Sequence, residues 1–303
     1  DALARPAALQ KEGRTQVYSK KNAAFYHAML APGMLLLIAF SIVPMGGIIM
    51  AFQNFVPAKG IFRSQFIGLN NFHRLFILPD FRQIMANTLI IACGKIVLGT
   101  ALAILFALLL NECRSARFKR LVQTAAYLPH FLSWVILAVM FSNIFSYTGI
   151  VNQLCAALGR EPAMFLISNR YFRPIVILGD VWKEFGYTAV IYIAAMANID
   201  PTLYEAGSID GAGRLRKILH ITLPGILPTV VLMATLNMGQ ILNAGFDQIF
   251  NLYSPLVYET GDIIDTYVYR AGLENMQDSF ATAVGLFKSV ISFALLTAAY
   301  WIA

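Results

Sequence analysis

Six long apolar runs, near residues 28–52, 84–110, 121–148, 175–199, 218–245 and 281–303, dominate this chain. Each approaches the ~20 mainly apolar residues that cross a bilayer as a helix. None shows the period-two alternation of a membrane barrel strand. Only 13% of the 303 residues are charged and 58% are hydrophobic, with mean hydropathy +0.64. A soluble domain would carry about a quarter charged residues. The chain therefore reads as an all-α integral membrane protein with six transmembrane helices. Residues 1–27 are polar and basic, with no apolar core before a small-residue cleavage site, so they are not read as a cleaved signal. The transmembrane domain is expected over 28–303.

Loop charge sets the orientation. Segments 1–27, 111–120 and 200–217 hold 12 Lys/Arg in 55 residues, against 8 in 92 residues for 53–83, 149–174 and 246–280. Loop 246–280 has six acids and one Arg. Both termini are thus expected in the cytoplasm, and the net charge of +7 reflects this bias rather than a nucleic-acid partner. Cys93, Cys113 and Cys155 lack CxxC spacing or a matching His cluster, so neither a disulfide framework nor a metal site is expected.

Between the fourth and fifth runs lies YEAGSIDGAGRLRKILHITLPGILP, residues 204–228. Asp200-Pro201 reads as an N-cap followed by proline at the first helical position. A short helix is expected from Pro201 to about Ser208. Gly211 and Gly213 then supply a tight turn, and a second helix starts near Arg214. Gly207, Gly211, Ala212 and Gly213 keep the surface of this helix-turn-helix low, so that another backbone can approach it.

The segment resembles the EAA loop of permease subunits of binding-protein-dependent ABC importers: Glu-Ala-Ala, then a glycine, nine residues, and Ile-x-Leu-Pro. Glu205 and Ala206 match, and Gly207 stands where the second alanine is expected. Asp210, Gly211 and Ala212 fit, and Ile221, Leu223 and Pro224 close the pattern. Stretches 180–206 and 245–273 are similar to the polysaccharide-type sugar permeases, including importers of anionic, alginate-like oligosaccharides. The resemblance implies a type I importer permease fold in a bacterial inner membrane, with the N-terminus cytoplasmic and coupling loop 200–224 docking into an ATPase. It also implies two ATPase copies that bind ATP and Mg, a second, different permease, and a solute-binding protein facing loop 246–280. In such a transporter, alternating access carries the oligosaccharide through the lipid membrane. The chain carries no Walker A, HExxH or GxSxG pattern, so it is read as a non-catalytic subunit without a cofactor of its own.

Ionisable residues inside spans are functional-site candidates. Lys95, Lys183 and Lys288 lie roughly 11–17 Å along their helices from the outer side, at ~1.5 Å per residue, in one layer. Asn237, Gln240 and Asn243 reach the same layer, and Trp182, Tyr187 and Tyr192 offer flat faces for sugar rings. With Glu184 these residues are the expected substrate path, the lysines favouring an anionic sugar. In the structural alternative, Lys183 pairs with Asp180 one turn away while Lys95 and Lys288 snorkel or bond carbonyls. Breaks are expected at Pro32-Gly33, Pro44–Gly47, Pro129, Pro224 and Pro228. A different class of protein, an ion-coupled secondary transporter, would use Asp180, Lys183 and Glu184 as a proton or ion relay.

Overall fold

The computed structural model describes residues Lys20–Ile302, so most of the predicted N-terminal segment lies outside the described residues. The chain divides into two units, residues 1–49 and 50–303. In the first, helix α1 (Lys20–Leu37) contains Pro32, loosens into a π turn over Ile38–Ile42, and restarts with Pro44 in its first turn. The winding changes around Pro44, but the helix runs on through both Pro32 and Pro44, so the interruptions predicted there are not breaks. Among the described residues of the whole chain, four helices are long and apolar enough to cross a membrane: Phe25–Phe52, Phe81–Glu112, Arg214–Gly239 and Asp278–Trp301.

Among the described residues, the regular elements of the second unit are helices apart from a two-residue antiparallel ladder, β1 (Gln53–Asn54) with β2 (Gln65–Phe66), a small departure from the all-α expectation. Helix α2 (Asn70–Ile77) is fastened under it by Asn71, whose side-chain amide donates to the carbonyls of Ala51 and Gln53. Helix α3 (Phe81–Glu112) follows as a continuous rod.

The third apolar run is not one helix. Helix α4 (Ala116–Tyr127) tightens into a 3-10 turn over Leu128–Phe131, and α5 (Trp134–Ile144) leaves at 102° to it. Pro129 supplies the break, because it has no N–H to continue the ladder, and Ser133 re-caps the chain by accepting from the Ile136 N–H at 3.4 Å. The freed carbonyl of His130 is satisfied by the Lys183 ammonium at 2.9 Å.

The fourth run starts earlier than predicted, as helix α6 (Asn169–Ala197) of 29 residues. At about 43 Å it is long enough to span. It is more charged than the four helices above, because Arg170, Arg173, Asp180, Lys183 and Glu184 punctuate it. Small residues let it approach its neighbours. Ala103 and Ala107 of α3 are fully buried with Ala189 and Tyr192 of α6, and a Cβ on Gly186 would fall 2.2 Å from the Ala126 carbonyl oxygen of α4.

After α6 come α7 (Pro201–Ile209) and a short turn, Arg214–Lys217. A π turn over Ile218–Thr222 leads into α8 (Leu223–Gly239), which contains Pro224 and Pro228. Its cap, Gln240, ends it well before the predicted residue 245. Helix α9 (Phe246–Leu252) starts only after Gly245, held at φ +94°. The last run is α10 (Asp278–Ile302).

Loop 246–280 is neither a loose nor a solvated cap. Residues Gly261, Asp262, Ile263 and Ile264 are buried. The buried Asn87 amide of α3 donates to the carbonyls of Glu259 and Asp262, both at 3.1 Å, and Arg173 donates to the Asn87 oxygen at 2.7 Å. Arg270 is paired with Asp262 and lies 4.3 Å over the Tyr258 ring. Burial and the neighbouring Tyr258 push the Tyr253 hydroxyl up to about 12. Its tyrosines are thus partly spent on internal packing.

Candidate functional site: a polar cavity and an exposed helical turn

Helices α3, α6 and α8 line an open cavity of about 260 Å³. Each helix contributes polar groups where its apolar pattern lapses: Lys95 and Thr100 from α3, Asp180, Glu184 and Thr188 from α6, and Asn237, Gln240 and Asn243 from α8 and the turn after it. Amides and hydroxyls of this kind both donate and accept, matching sugar hydroxyls. The Asn243 amide donates to the Gln240 side-chain oxygen.

The lysines do not form the open cationic layer expected from their depth. Lys95 pairs with Asp180 at 3.2 Å, Lys183 with Glu184 at 2.7 Å and Lys288 with Asp265 at 2.5 Å. An unpaired ammonium in hydrocarbon is costly, so each is compensated by a carboxylate. The pairing also differs from the structural alternative, in which Asp180 was to meet Lys183. Glu184 accepts a second contact from His130 Nδ1 at 2.7 Å, at the break between α4 and α5.

Of the predicted path residues, Lys95, Glu184, Asn237, Gln240 and Asn243 line the cavity together. The others lie elsewhere. Lys183 is buried beneath Trp134, and Tyr192 is fully buried in the α3–α6 core. Tyr187 is covered on one face by the His130 ring, stacked at 3.9 Å. Trp182 borders a separate apolar cleft with Phe141 and Phe145, and Lys288 serves the α10–Asp265 pair. Thr100, Thr188 and Gln248 escaped the sequence reading, because nothing local distinguishes them from ordinary helix polar residues.

The polar turn folds as a helix-turn-helix. Asp200 caps α7 by accepting from the Thr202 N–H at 2.9 Å, and this bond holds its carboxyl below the usual range. Gly211, at φ +74°, makes the left-handed turn, whereas Gly213 is extended and precedes Arg214. The two arms are locked by Tyr204 to Thr222 at 2.9 Å and by Lys217 to Ser208 at 2.6 Å. Gly207 stands where an alanine was expected; a Cβ there would lie 3.2 Å from Ile221 Cδ1, a contact that a small shift of that side chain relieves. Glu205, Ala206, Asp210, Gly211 and Gly213 are exposed and Ala212 half-buried, and Leu223 and Pro224 open α8. The apolar side chains of Leu203, Ile209 and Leu215 also stand in the open, Ile209 at 87% exposure.

Residues 99–303 match the family described as the binding-protein-dependent transport system inner membrane component. The chain belongs to this family. It is 41% identical over 289 residues to the polygalacturonan/rhamnogalacturonan transport system permease protein YteP of Bacillus subtilis, covering 95% of this chain and 90% of that protein. It is 37% identical to protein LplB of the same organism over 98% of this chain and 94% of that protein. Its fold superposes with TM-score 0.86 and 37% identity on a chain from the crystal structure of a bacterial ABC transporter involved in the import of the acidic polysaccharide alginate, covering 93% and 96% of the two chains. A second crystal structure, of the bacterial alginate ABC transporter in complex with an alginate pentasaccharide-bound periplasmic protein, matches with TM-score 0.85 and 36% identity over 94% and 96%. This permease is thus a multi-pass membrane protein with the fold of the ABC importer permeases.

Proposed function

We propose that this permease subunit carries an oligosaccharide across a bacterial inner membrane by alternating access, driven by ATP that a separate pair of ATPase subunits binds with Mg and hydrolyses. A second, different permease completes the path, and a periplasmic solute-binding protein delivers the sugar. In this reading the bent α4–α5 pair is the third of six spans, α6 is the fourth, and both termini are cytoplasmic. The observation that carries the reading is the rigid helix-turn-helix 201–217 of a chain in this family. Its exposed Leu203, Ile209 and Leu215 suit a cleft on a motor subunit.

The substrate class follows from the relatives, one described as a polygalacturonan/rhamnogalacturonan transport permease and another as involved in the import of the acidic polysaccharide alginate. The cavity adds amides and hydroxyls for sugar hydroxyls. It supplies no uncompensated ammonium, so a preference for uronic acids resides outside the three lysines.

Co-expression with the ATPase subunits tests the coupling. Glu205→Arg combined with Gly211→Arg is expected to abolish co-purification and substrate-stimulated ATP hydrolysis; undiminished association of the double variant rejects the docking site. Uptake of a uronic-acid oligosaccharide by the intact assembly, with none by the chain alone under an ion gradient, separates this function from secondary transport.

A further inference from the structure

The turn between α8 and α9 carries two of the cavity's amides, yet it has little backbone bonding of its own. Its backbone bonds run from the Asn243 N–H to the Gln240 carbonyl at 2.8 Å, from the Gln240 N–H to the Asn237 carbonyl at 3.0 Å and, long, from the Ile241 N–H to the Met238 carbonyl at 3.4 Å. What holds it comes from α3. The Lys95 ammonium donates to the Ala244 carbonyl at 2.7 Å, to Gln248 Oε1 at 2.5 Å and to Asp180 Oδ1 at 3.2 Å. An ammonium has three donors and no acceptor, so all three are used. Gln248 is fully buried and passes the connection on by donating to the Val176 carbonyl of α6 at 2.7 Å.

The backbone is shaped around this ammonium. Gly245 sits at φ +94°, where a side chain is strained, and a Cβ there would lie 2.7 Å from Lys95 Nζ. Along the turn, Leu242 and Ala244 are buried while Asn243 between them is exposed. Anchoring Ala244 therefore sets the direction in which Asn243 faces.

We propose that Lys95, Gly245 and Gln248 form the positioning centre of the transport cavity: they fix the turn that presents Gln240 and Asn243 to saccharide hydroxyls, and the charge of Lys95 is consumed by Asp180 instead of being offered to the substrate. The assignment rests on the oligosaccharide reading for its ligand and on geometry alone for the anchor. It makes Lys95 a positioning residue with no preference for anionic sugars. It also requires Gly245→Ala, which removes no charge, to act like loss of the lysine.

The experiment uses the complete transporter in proteoliposomes, with a neutral and a uronic-acid oligosaccharide of equal length. The variants are Gly245→Ala, Lys95→Met, and Lys95→Met with Asp180→Asn, the last leaving no orphaned carboxylate. Each is expected to raise half-saturation on the order of ten-fold, as loss of one or two oriented hydrogen bonds implies. The factor should be the same for both sugars, with maximal rate held within about two-fold. Hydrogen exchange of amides 240–248 in the substrate-free transporter should accelerate in all three. Loss confined to the uronic-acid sugar would make Lys95 a direct cation and overturn the proposal, as would unchanged exchange in 240–248. Exchange needs no substrate, so a wild-type transporter that moves neither sugar refutes the oligosaccharide reading while exchange alone decides the anchor.

Discussion

Gly186→Ala separates packing from helix propensity, because the two predict opposite signs. In a helix interior alanine is favoured over glycine by about 1 kcal/mol, so on propensity alone the variant is more stable. The structure says otherwise. The new Cβ would lie 2.2 Å from the Ala126 carbonyl oxygen, 2.7 Å from its carbonyl carbon and 3.0 Å from its Cβ. Close carbon–oxygen contacts settle near 3.3–3.6 Å, so α4 and α6 must part by about 1 Å. Two of the three obstructing atoms are backbone and cannot rotate aside. Overpacking of this kind costs about 1–3 kcal/mol, and the upper part of that range applies here. For a chain of 303 residues that lowers the melting temperature by about 3–5 °C. Gly99→Ala is the matched control, since its Cβ would meet only Val181 Cγ2, at 4.0 Å. Thermal unfolding of the purified transporter in detergent reads both. If Gly186→Ala melts with or above Gly99→Ala, the close approach of α4 to α6 is wrong.

Two further perturbations test the charge network. Lys288→Met strands Asp265, whose partner sat at 2.5 Å with both side chains largely buried, and should cost about 3–5 kcal/mol. Adding Asp265→Asn should restore at least half of that loss in the same melting assay, whereas additive losses would argue against the pair. The Tyr253 hydroxyl, pushed up to about 12 from its ordinary 10, stays protonated in the fold after it would ionise in the unfolded chain. The stability it contributes is complete below pH ~10 and lost as pH rises from there through 12. An ultraviolet tyrosinate titration of Tyr253→Phe should lack one step near pH 12; loss of a step near 10 instead would place that ring in open solvent.

Local chemistry made some features readable in advance. The Asp200-Pro201 cap, the left-handed Gly211 and the break at Pro129 each depend on neighbours within a few residues, and each is where the sequence puts it. The apolar runs place the helices for a similar reason. Pairings across the chain were not readable. Asp180 and Lys183 are three apart on one helix, so a local reading joins them. In the fold Asp180 instead meets Lys95, 85 positions earlier, because α3 packs closely along α6. The role of Gly245 was hidden for the same reason, since the atom that forbids its side chain belongs to Lys95.

Helix α6 carries the most charge of the long helices and touches α3, α4, α8 and α9. That combination bears on how the protein is made. A helix with Asp180, Lys183 and Glu184 near its middle enters a bilayer poorly by itself, each such residue costing about 2.5–3.5 kcal/mol at the centre of a lone segment. Its compensating groups, Lys95 and the His130 side chain and carbonyl, all precede it in the chain. In the proposed six-span reading, synthesis therefore delivers the counter-charges first, and α6 would leave the insertion channel into partners already waiting in the lipid.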